Sequence, residues 1–259
     1  MATFLFDKII FGPVRSRRLG VSLGVNLLPA DRKVCNFNCI YCECGWTRHD
    51  HLSQKLPSRT DVRELLREKL MEMGSHGTPP DVITFAGNGE PTIHPDFPGI
   101  IDDTIALRNE LCPGASVAVL SNATMINRPE IREALMKTDR NILKLDSAFD
   151  ETVKIHNQPG SNYTIAETIE NLKLFGGNVV IQTLFLRGEY NGLAIDNTTA
   201  RELEAWLDAL VEISPREVMI YTIHRATPAG SNLKKVPEKE LEQIAARVKE
   251  LGIAVQVSG

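Results

Sequence analysis

The feature that most constrains the fold of this chain is a regular alternation between short β-branched segments and amphipathic helical segments. From residue 81 onward, the β-type segments start about 25 to 40 residues apart, which leaves room for one helical crossover between successive strands. Parallel strands need such crossovers, whereas antiparallel hairpins do not. The strand-like segments are 20–28, 81–86, 115–121, 141–147, 178–185, 216–222 and 253–257.

The segments between these strands have the apolar spacing of helices. Val62, Leu66 and Leu70 fall on one helical face, and Thr164 and Thr199 are each followed three residues later by glutamate, as in a capping box. Strict β–α alternation predicts a parallel α/β sheet covered by helices, and an open doubly wound sheet also fits it. No G-x-G-x-x-G follows a strand and no G-x-x-x-x-G-K-[ST] occurs, which disfavours dinucleotide-binding and NTPase folds.

Composition limits the classes of function. The 259 residues are 42% hydrophobic and 24% charged, with a formal net charge of −4, and this balance is typical of a globular protein. The mildly negative charge gives no support to a nucleic-acid partner. No run of 18 apolar residues is present, and the N-terminus lacks a basic region ahead of an apolar run. We therefore expect a cytoplasmic protein with no membrane partner.

Four of the five cysteines fall within the ten residues from 35 to 44, in a segment we predict to be a metal-binding loop, at about 29–46. Soft thiolate ligands suit iron–sulfur clusters and zinc. Cys35, Cys39 and Cys42 can hold three irons of a 4Fe–4S cluster and leave the fourth iron open. The alternative is a zinc-binding barrel without redox function, with Cys44 as the fourth ligand, although structural zinc sites usually use two separated cysteine pairs.

The spacing C-x3-C-x2-C, with an aromatic residue directly before the last cysteine, resembles the motif of the radical S-adenosylmethionine (radical SAM) superfamily. The wider stretch from Gly12-Pro13 to Cys-Asn-Phe-Asn-Cys-Ile-Tyr-Cys resembles small radical SAM proteins that are grouped, by similarity, with wyosine-tRNA synthases. The resemblance covers about residues 10 to 225. It implies an α/β fold of the parallel (β/α)6-type, a partial TIM barrel in a single domain over 1–259.

The resemblance also implies roles for individual residues. Cys35, Cys39 and Cys42 would hold the 4Fe–4S cluster. Residues near the strand ends would bind S-adenosylmethionine (SAM): Tyr41, Asn88, Gly89, Glu90, Ser121, Asn122, Asp146, Gln182 and Arg187. The segment 87–90, Gly-Asn-Gly-Glu, stands where the family has a Gly-Gly-Glu motif, from which its asparagine departs. On the substrate side, the catalytic candidates are Lys144, His224 and Arg225.

Structural roles stay open for several of these side chains. Tyr41 can be a core tyrosine, and Arg187 can be solvated. Lys144 and Asp146 lie on one face of their strand because side chains alternate with period two, so they can form a buried ion pair instead of contacting a ligand.

The chemistry that the resemblance implies is a one-electron reaction. SAM binds the open iron, an electron from the reduced cluster breaks its S–C5′ bond, and the 5′-deoxyadenosyl radical abstracts hydrogen from a substrate. A flavodoxin- or ferredoxin-type donor would supply the electron. The substrate would be a small molecule or a nucleotide, and an activase that installs a glycyl radical on a partner protein is the alternative. Five basic residues can attract an anion or simply be solvated or ion-paired: Arg15, Arg17, Arg18, Arg32 and Lys33.

Overall fold

The computed structural model describes residues 4–16, 19–47, 55–160, 162–224, 227 and 232–259. Strands and helices alternate along these residues as the sequence pattern predicts. The strands are β1 (Ile10–Ser16), β2 (Gly20–Val25), β3 (Val82–Phe85), β4 (Ser116–Ser121), β5 (Arg140–Lys144), β6 (Val180–Tyr190), β7 (Leu193–Asp196), β8 (Glu217–Thr222), β9 (Lys234–Lys235) and β10 (Ala254–Ser258).

The helices begin and end close to the predicted capping residues. They are α1 (Arg59–Ser75), α2 (Phe97–Leu111), α3 (Pro129–Met136), α4 (Asp150–His156), α5 (Ile165–Lys173), α6 (Ala200–Ile213) and α7 (Glu238–Glu250), with one 3-10 turn at Pro91–Ile93. Thr164 and Thr199 cap α5 and α6, because each hydroxyl accepts a hydrogen bond from the backbone N–H three residues later. Among the described residues, no helix has both the length and the apolar character to span a membrane.

The order of the strands decides between the two sheet architectures that the pattern allows. β2, β3, β4, β5, β6 and β8 are parallel neighbours in chain order. β10 continues the sheet in parallel beside β8, and β1 pairs antiparallel with β2 at the opposite edge. A doubly wound sheet would reverse its strand order at a switch point. The sequential order therefore confirms the (β/α)6-type partial barrel.

Two short antiparallel strands extend the barrel on one side. β6 pairs with β8 over its first half, whereas its outer half pairs antiparallel with β7 and β9. The sequence pattern does not predict β7 or β9, because segments of two to four residues are too short to show periodicity. This ribbon projects from the carboxyl end of β6, at the mouth of the barrel.

The inner face of the barrel changes from apolar to polar along the strands. Side chains two residues apart on a strand share a face. At the amino ends, one apolar layer fills the interior with side chains from five strands: Val82, Ala118, Ile142, Val180 and Met219. The residues two positions further along include Lys144, Gln182 and Tyr221. Polar groups therefore gather on the inner face at the carboxyl ends, where active sites of parallel α/β folds lie.

His156, the last residue of α4, makes the stability of the fold depend on pH. Its imidazole is buried, and its Nδ1 has no hydrogen-bond partner within the described part of the chain. Burial lowers the pKa of His156 from the ordinary 6.5 to about 4. Below pH 6.5 the unfolded state then binds more protons than the folded state, so stability falls as the pH drops towards 4 and levels off below it. We expect this group to account for about 3 kcal/mol.

Urea unfolding at pH 7 and pH 4.5 tests this expectation. His156→Phe should lose less stability on acidification than the wild type, whereas the exposed-site variant His76→Phe should lose as much as the wild type. Equal losses in the wild type and His156→Phe would contradict it.

Candidate active site

The connection between β2 and α1 carries the cysteines across the carboxyl ends of the strands. The backbone N–H of Val34 donates to the carbonyl of Asn88 (2.8 Å), and the N–H of Glu90 donates back to the Val34 carbonyl (3.1 Å). On the other side, the N–H of Ile40 donates to the carbonyl of His156 at the end of α4 (2.9 Å). The loop is therefore attached to two different β–α connections, which fixes it over the barrel mouth.

Two of the cysteine sulfurs accept hydrogen bonds from N–H groups. The Sγ of Cys35 accepts from the backbone N–H of Phe37 (3.4 Å) and from Nδ2 of Asn122 (3.5 Å), which follows β4. The Sγ of Cys39 accepts from Nδ2 of Asn157 (3.5 Å), which follows α4. Such donors stabilise negative charge on sulfur and help to set the potential of an iron–sulfur cluster.

Cys42 and Cys44 differ in their readiness to ionise. The neighbouring Cys44 thiol and the nearby ammonium of Lys33 lower the pKa of Cys42 to about 6. The Cys44 thiol donates to the carbonyl oxygen of Gly87 (3.4 Å), and the neighbouring Cys42 sulfur and partial burial raise the pKa of Cys44. Burial raises the pKa of Cys35 to about 12. Cys42 is therefore easily ionised, whereas Cys44 keeps its proton and directs it to the Gly87 carbonyl.

The cysteine side chains are arranged as the ligands of a cluster would be, and they do not surround a single metal ion. In the described ranges, no three His, Cys, Asp or Glu side chains converge closely enough to hold a single metal ion. A 4Fe–4S cluster binds each cysteine through a different iron, so its ligands surround a larger volume. Cys39 is buried, and Cys35 and Cys42 are half-buried. Three shielded thiols with N–H donors and a neighbouring cation fit such a group.

The segment after β3 presses against the cysteine loop and braces the end of β4. Gly89 has a φ of +141°, and a Cβ at this position would overlap the carbonyl oxygen of Val34. The carboxylate of Glu90 is buried, which raises its pKa. It accepts from the Ser121 hydroxyl (2.8 Å) and the backbone N–H of Asn122 (2.6 Å). The structure thus brings these four predicted SAM-side residues together beside the loop.

Gly89→Ala should strongly destabilise the chain, because only glycine adopts this backbone conformation without strain and because the added methyl would separate the loop from β3. We expect a loss of about 3 kcal/mol in urea unfolding of the metal-free protein. Gly114→Ala is the matched control, since a Cβ there meets no atom within 4 Å. Equal unfolding midpoints for the two variants would contradict the packing argument.

Asn88, the residue that departs from the family motif, holds two backbone segments in place. Its Oδ1 accepts from the N–H of Phe6 (2.8 Å), and its Nδ2 donates to the carbonyls of Phe6 and Pro29 (both 2.8 Å). The side chain is fully buried. Its amide is therefore committed to the N-terminal segment and to the start of the cysteine loop. A contact of this segment with SAM would then have to be made by its backbone.

Lys144, Asp146 and Tyr41 form one buried network inside the barrel mouth. The Nζ of Lys144 lies 3.4 Å from the Asp146 carboxylate and 3.2 Å from the Tyr221 hydroxyl. The same carboxylate accepts from the Tyr41 hydroxyl and from Nδ2 of Asn157 (2.7 Å). Burial alone would lower the pKa of Lys144, but the charge of Asp146 outweighs it and raises the pKa. The ion pair and the core tyrosine anticipated from the sequence are both present, and Lys144 is a permanent cation.

Two other predicted SAM-side residues differ in position. Gln182 is buried on the inner face and lies beside Lys144 in the strand register. Arg187 lies on the outer half of β6, where its guanidinium pairs with Asp196 (3.1 Å) and with Glu240. The structure therefore brings Gln182 to the barrel mouth but engages Arg187 in an ion-pair network with β7 and α7, so it is not simply a solvated arginine.

Of the three substrate-side candidates, Lys144 belongs to the network inside the mouth. His224 is exposed just after β8, whereas Arg225 lies outside the described residues. Lys234 and Lys235, which form β9, are both exposed and lie beside the outer part of β6. Two exposed lysines therefore lie beside the outer half of β6, a position that the sequence does not indicate because β9 is too short to predict.

The two basic residues directly before the cysteines have different surroundings. Arg32 pairs with Asp31 (3.3 Å), and Lys33 is buried with its Nζ 3.1 Å from the carbonyl oxygen of Gly45. Arg17 and Arg18 lie outside the described residues. Lys33 therefore does not contribute to an anion-binding surface, because its side chain turns towards the cysteines.

Two residues of the site are not among the residues predicted from the sequence. Asn157 connects Cys39 to Asp146. The Oδ1 of Asn36 accepts from Nδ2 of Asn122 at 2.7 Å, which orients the amide that also faces Cys35. The only signal for Asn36 is its place inside the cysteine spacing, and nothing in the local sequence marks Asn157.

The fold and the loop define a partial-barrel protein that presents three thiols at the carboxyl edge of its sheet. The sequence model of the radical SAM superfamily matches residues 33–192. A UPF0026 protein of Helicobacter pylori is 30% identical over 237 residues, which cover 90% of this chain and 71% of that protein. The chain therefore belongs to the radical SAM superfamily and, more narrowly, to its UPF0026 group.

Solved structures share the fold. Streptococcus suis SuiB bound to S-adenosylmethionine has a TM-score of 0.63 at 14% identity, over 88% of this chain and 49% of that chain. Archaeal TYW1 has a TM-score of 0.51 at 12% identity, over 88% of this chain and 71% of that chain. This chain thus spans about half the length of SuiB. Radical SAM enzymes use a 4Fe–4S cluster and SAM, so the predicted enzyme class and cofactors are confirmed, whereas the roles of single residues stay predictions.

Proposed function

We propose that Cys35, Cys39 and Cys42 hold the 4Fe–4S cluster of this enzyme and that a substrate is bound at the barrel mouth beside it. The observation that carries the proposal is the attachment of all three thiols, in one loop, over the carboxyl ends of the parallel strands. When bound, the cluster and SAM supply one-electron cleavage of the sulfonium and hydrogen abstraction. The protein then has to supply position, charge and exclusion of water.

The residues around the loop have separate tasks in this proposal. Gly89 permits close approach of its backbone to the loop and to the amino group of SAM. Glu90 fixes the ends of β3 and β4, and this places Ser121 and Asn122 towards the ribose or methionine of SAM. Gln182, on the inner face, is proposed to reach the same ligand.

The inner wall of the mouth keeps its charges fixed. The Asp146 carboxylate accepts from Tyr41, Asn157 and the backbone N–H of Leu184 (2.9 Å) and lies 3.4 Å from the Nζ of Lys144. Because its negative charge faces the ammonium, Lys144 stays protonated at the mouth, where it can hold an anionic group. An apolar cluster that includes Phe37, Leu184 and Leu186 packs against the loop from the side of β6. We propose that this cluster excludes water from the reacting groups.

Anaerobic reconstitution with iron and sulfide, followed by dithionite and SAM, tests the central proposal. We expect about four irons per chain and release of 5′-deoxyadenosine. Bound zinc without iron would overturn it, and so would a full iron complement without any SAM cleavage.

We further propose that the substrate is an anion such as a nucleotide, because His224, Lys234 and Lys235 place positive or titratable groups at the rim of the mouth. Fluorescence anisotropy of a labelled guanine nucleotide measures the binding of such an anion directly. Lys234→Glu/Lys235→Glu should bind about tenfold more weakly than the wild type at low salt, whereas Lys137→Glu, on the exposed end of α3, should bind equally well. Identical binding by all three proteins, or none by the wild type, would overturn the anionic substrate.

A further inference from the structure

Lys33 is a buried cation that faces the cysteine motif. It lies two residues before Cys35, and only 3% of its surface is exposed. Its Nζ donates to the carbonyl oxygen of Gly45 (3.1 Å), and the N–H of Gly45 in turn donates to the carbonyl oxygen of Cys42 (3.0 Å). The ammonium is therefore enclosed between the two ends of the cysteine loop.

The counter-charge of Lys33 distinguishes it from the other buried lysine of the site. Lys144 has the Asp146 carboxylate at 3.4 Å. Within the described residues, no carboxylate lies within ion-pair distance of Lys33, and the groups whose negative charge would favour its protonated form are the sulfurs of Cys42, Cys39 and Cys35. A buried ammonium without a counter-charge is strongly destabilising, so this loop suits a negatively charged sulfur site.

We propose that Lys33 raises the reduction potential of the cluster held by the three cysteines. This inference rests on the proposed function, because it requires the cluster at that position. Reduction adds one electron to a group that already carries the negative charge of its thiolates. In a shielded interior, a fixed cation enclosed by the loop that carries the ligand sulfurs stabilises the more negative, reduced state.

The closing experiment is a redox titration of the reconstituted protein, followed by electron paramagnetic resonance in the absence of SAM. Lys33→Met removes the charge, Lys33→Arg keeps it, and Lys137→Met removes an exposed charge on α3. We expect Lys33→Met to retain iron while its equilibrium constant for one-electron reduction falls about tenfold, a shift of about 59 mV to lower potential. Lys33→Arg and Lys137→Met should titrate like the wild type.

The outcomes separate this inference from the proposed function. A wild-type protein that binds no iron would remove the proposed function itself. An iron-loaded wild type together with an iron-loaded Lys33→Met of unchanged potential would overturn the role of Lys33 alone. If Lys33→Met does not retain iron, Lys33→Gln, which keeps a donor for the Gly45 carbonyl, carries the same test. Loss of iron in both neutral variants would show that Lys33 is structural and would overturn the redox role.

Discussion

Alanine at any one of Cys35, Cys39 or Cys42 is expected to reduce SAM cleavage to background and to lower the iron content of the reconstituted protein. Cys44→Ala should keep both near the wild-type level. The reason is that the sulfurs of Cys35 and Cys39 accept from N–H groups and that Cys42 ionises easily, whereas the Cys44 thiol donates its hydrogen bond to the carbonyl oxygen of Gly87. Iron per chain and 5′-deoxyadenosine formed under dithionite measure both effects.

The control for this series is Cys112→Ala, which removes a buried thiol from the core between the sheet and the helices. It should change stability without changing iron per folded chain. If Cys44→Ala loses the cluster as the other three variants do, the three-ligand arrangement is wrong, and a four-thiolate site becomes the better description.

The order of strands and helices could be predicted because it depends on short-range patterns. Alternation with period two is enough to place Lys144 and Asp146 on one face of the predicted strand 141–147, and although β5 ends at Lys144, their charged groups lie 3.4 Å apart. Thr164 and Thr199 indicate the starts of their helices in the same local way. Whether the sheet closes into a partial barrel depends on the order of the strands. The alternation pattern left that order open, and the family resemblance supplied it.

The partners of the site residues could not be predicted, because they come from distant parts of the chain. Tyr41 donates to a carboxylate 105 positions away, and Asn157 reaches the sulfur of Cys39 across 118 positions. Local sequence carries no record of such pairings. Similarly, Lys33 is grouped with a basic surface when only the sequence is considered. The sequence shows the sign of its charge but not the direction in which the loop points its side chain.

Removal of the Asp146 charge is the second change with a large expected effect. Asp146→Asn leaves the buried ammonium of Lys144 without its carboxylate and gives Tyr41 and Asn157 a poorer acceptor. Loss of one partner of a buried ion pair typically costs about 3 to 5 kcal/mol, because the remaining charge is left uncompensated. Urea unfolding of the metal-free protein at pH 7 measures it, with an unchanged m-value as the check for a two-state transition.

The double variant Asp146→Asn/Lys144→Met decides whether that loss comes from the stranded charge. If it does, the double variant should regain more than half of the stability lost by Asp146→Asn alone, because neither charge then remains in the interior. The exposed pair of Glu151 and Arg201 is the control, and Glu151→Gln should change little. Additive losses in the double variant would mean that Asp146 acts through its hydrogen bonds to Asn157 and β6 instead. A strong coupling would mean that Lys144 is held charged at the barrel mouth by Asp146, which is the condition for its proposed role towards an anionic substrate.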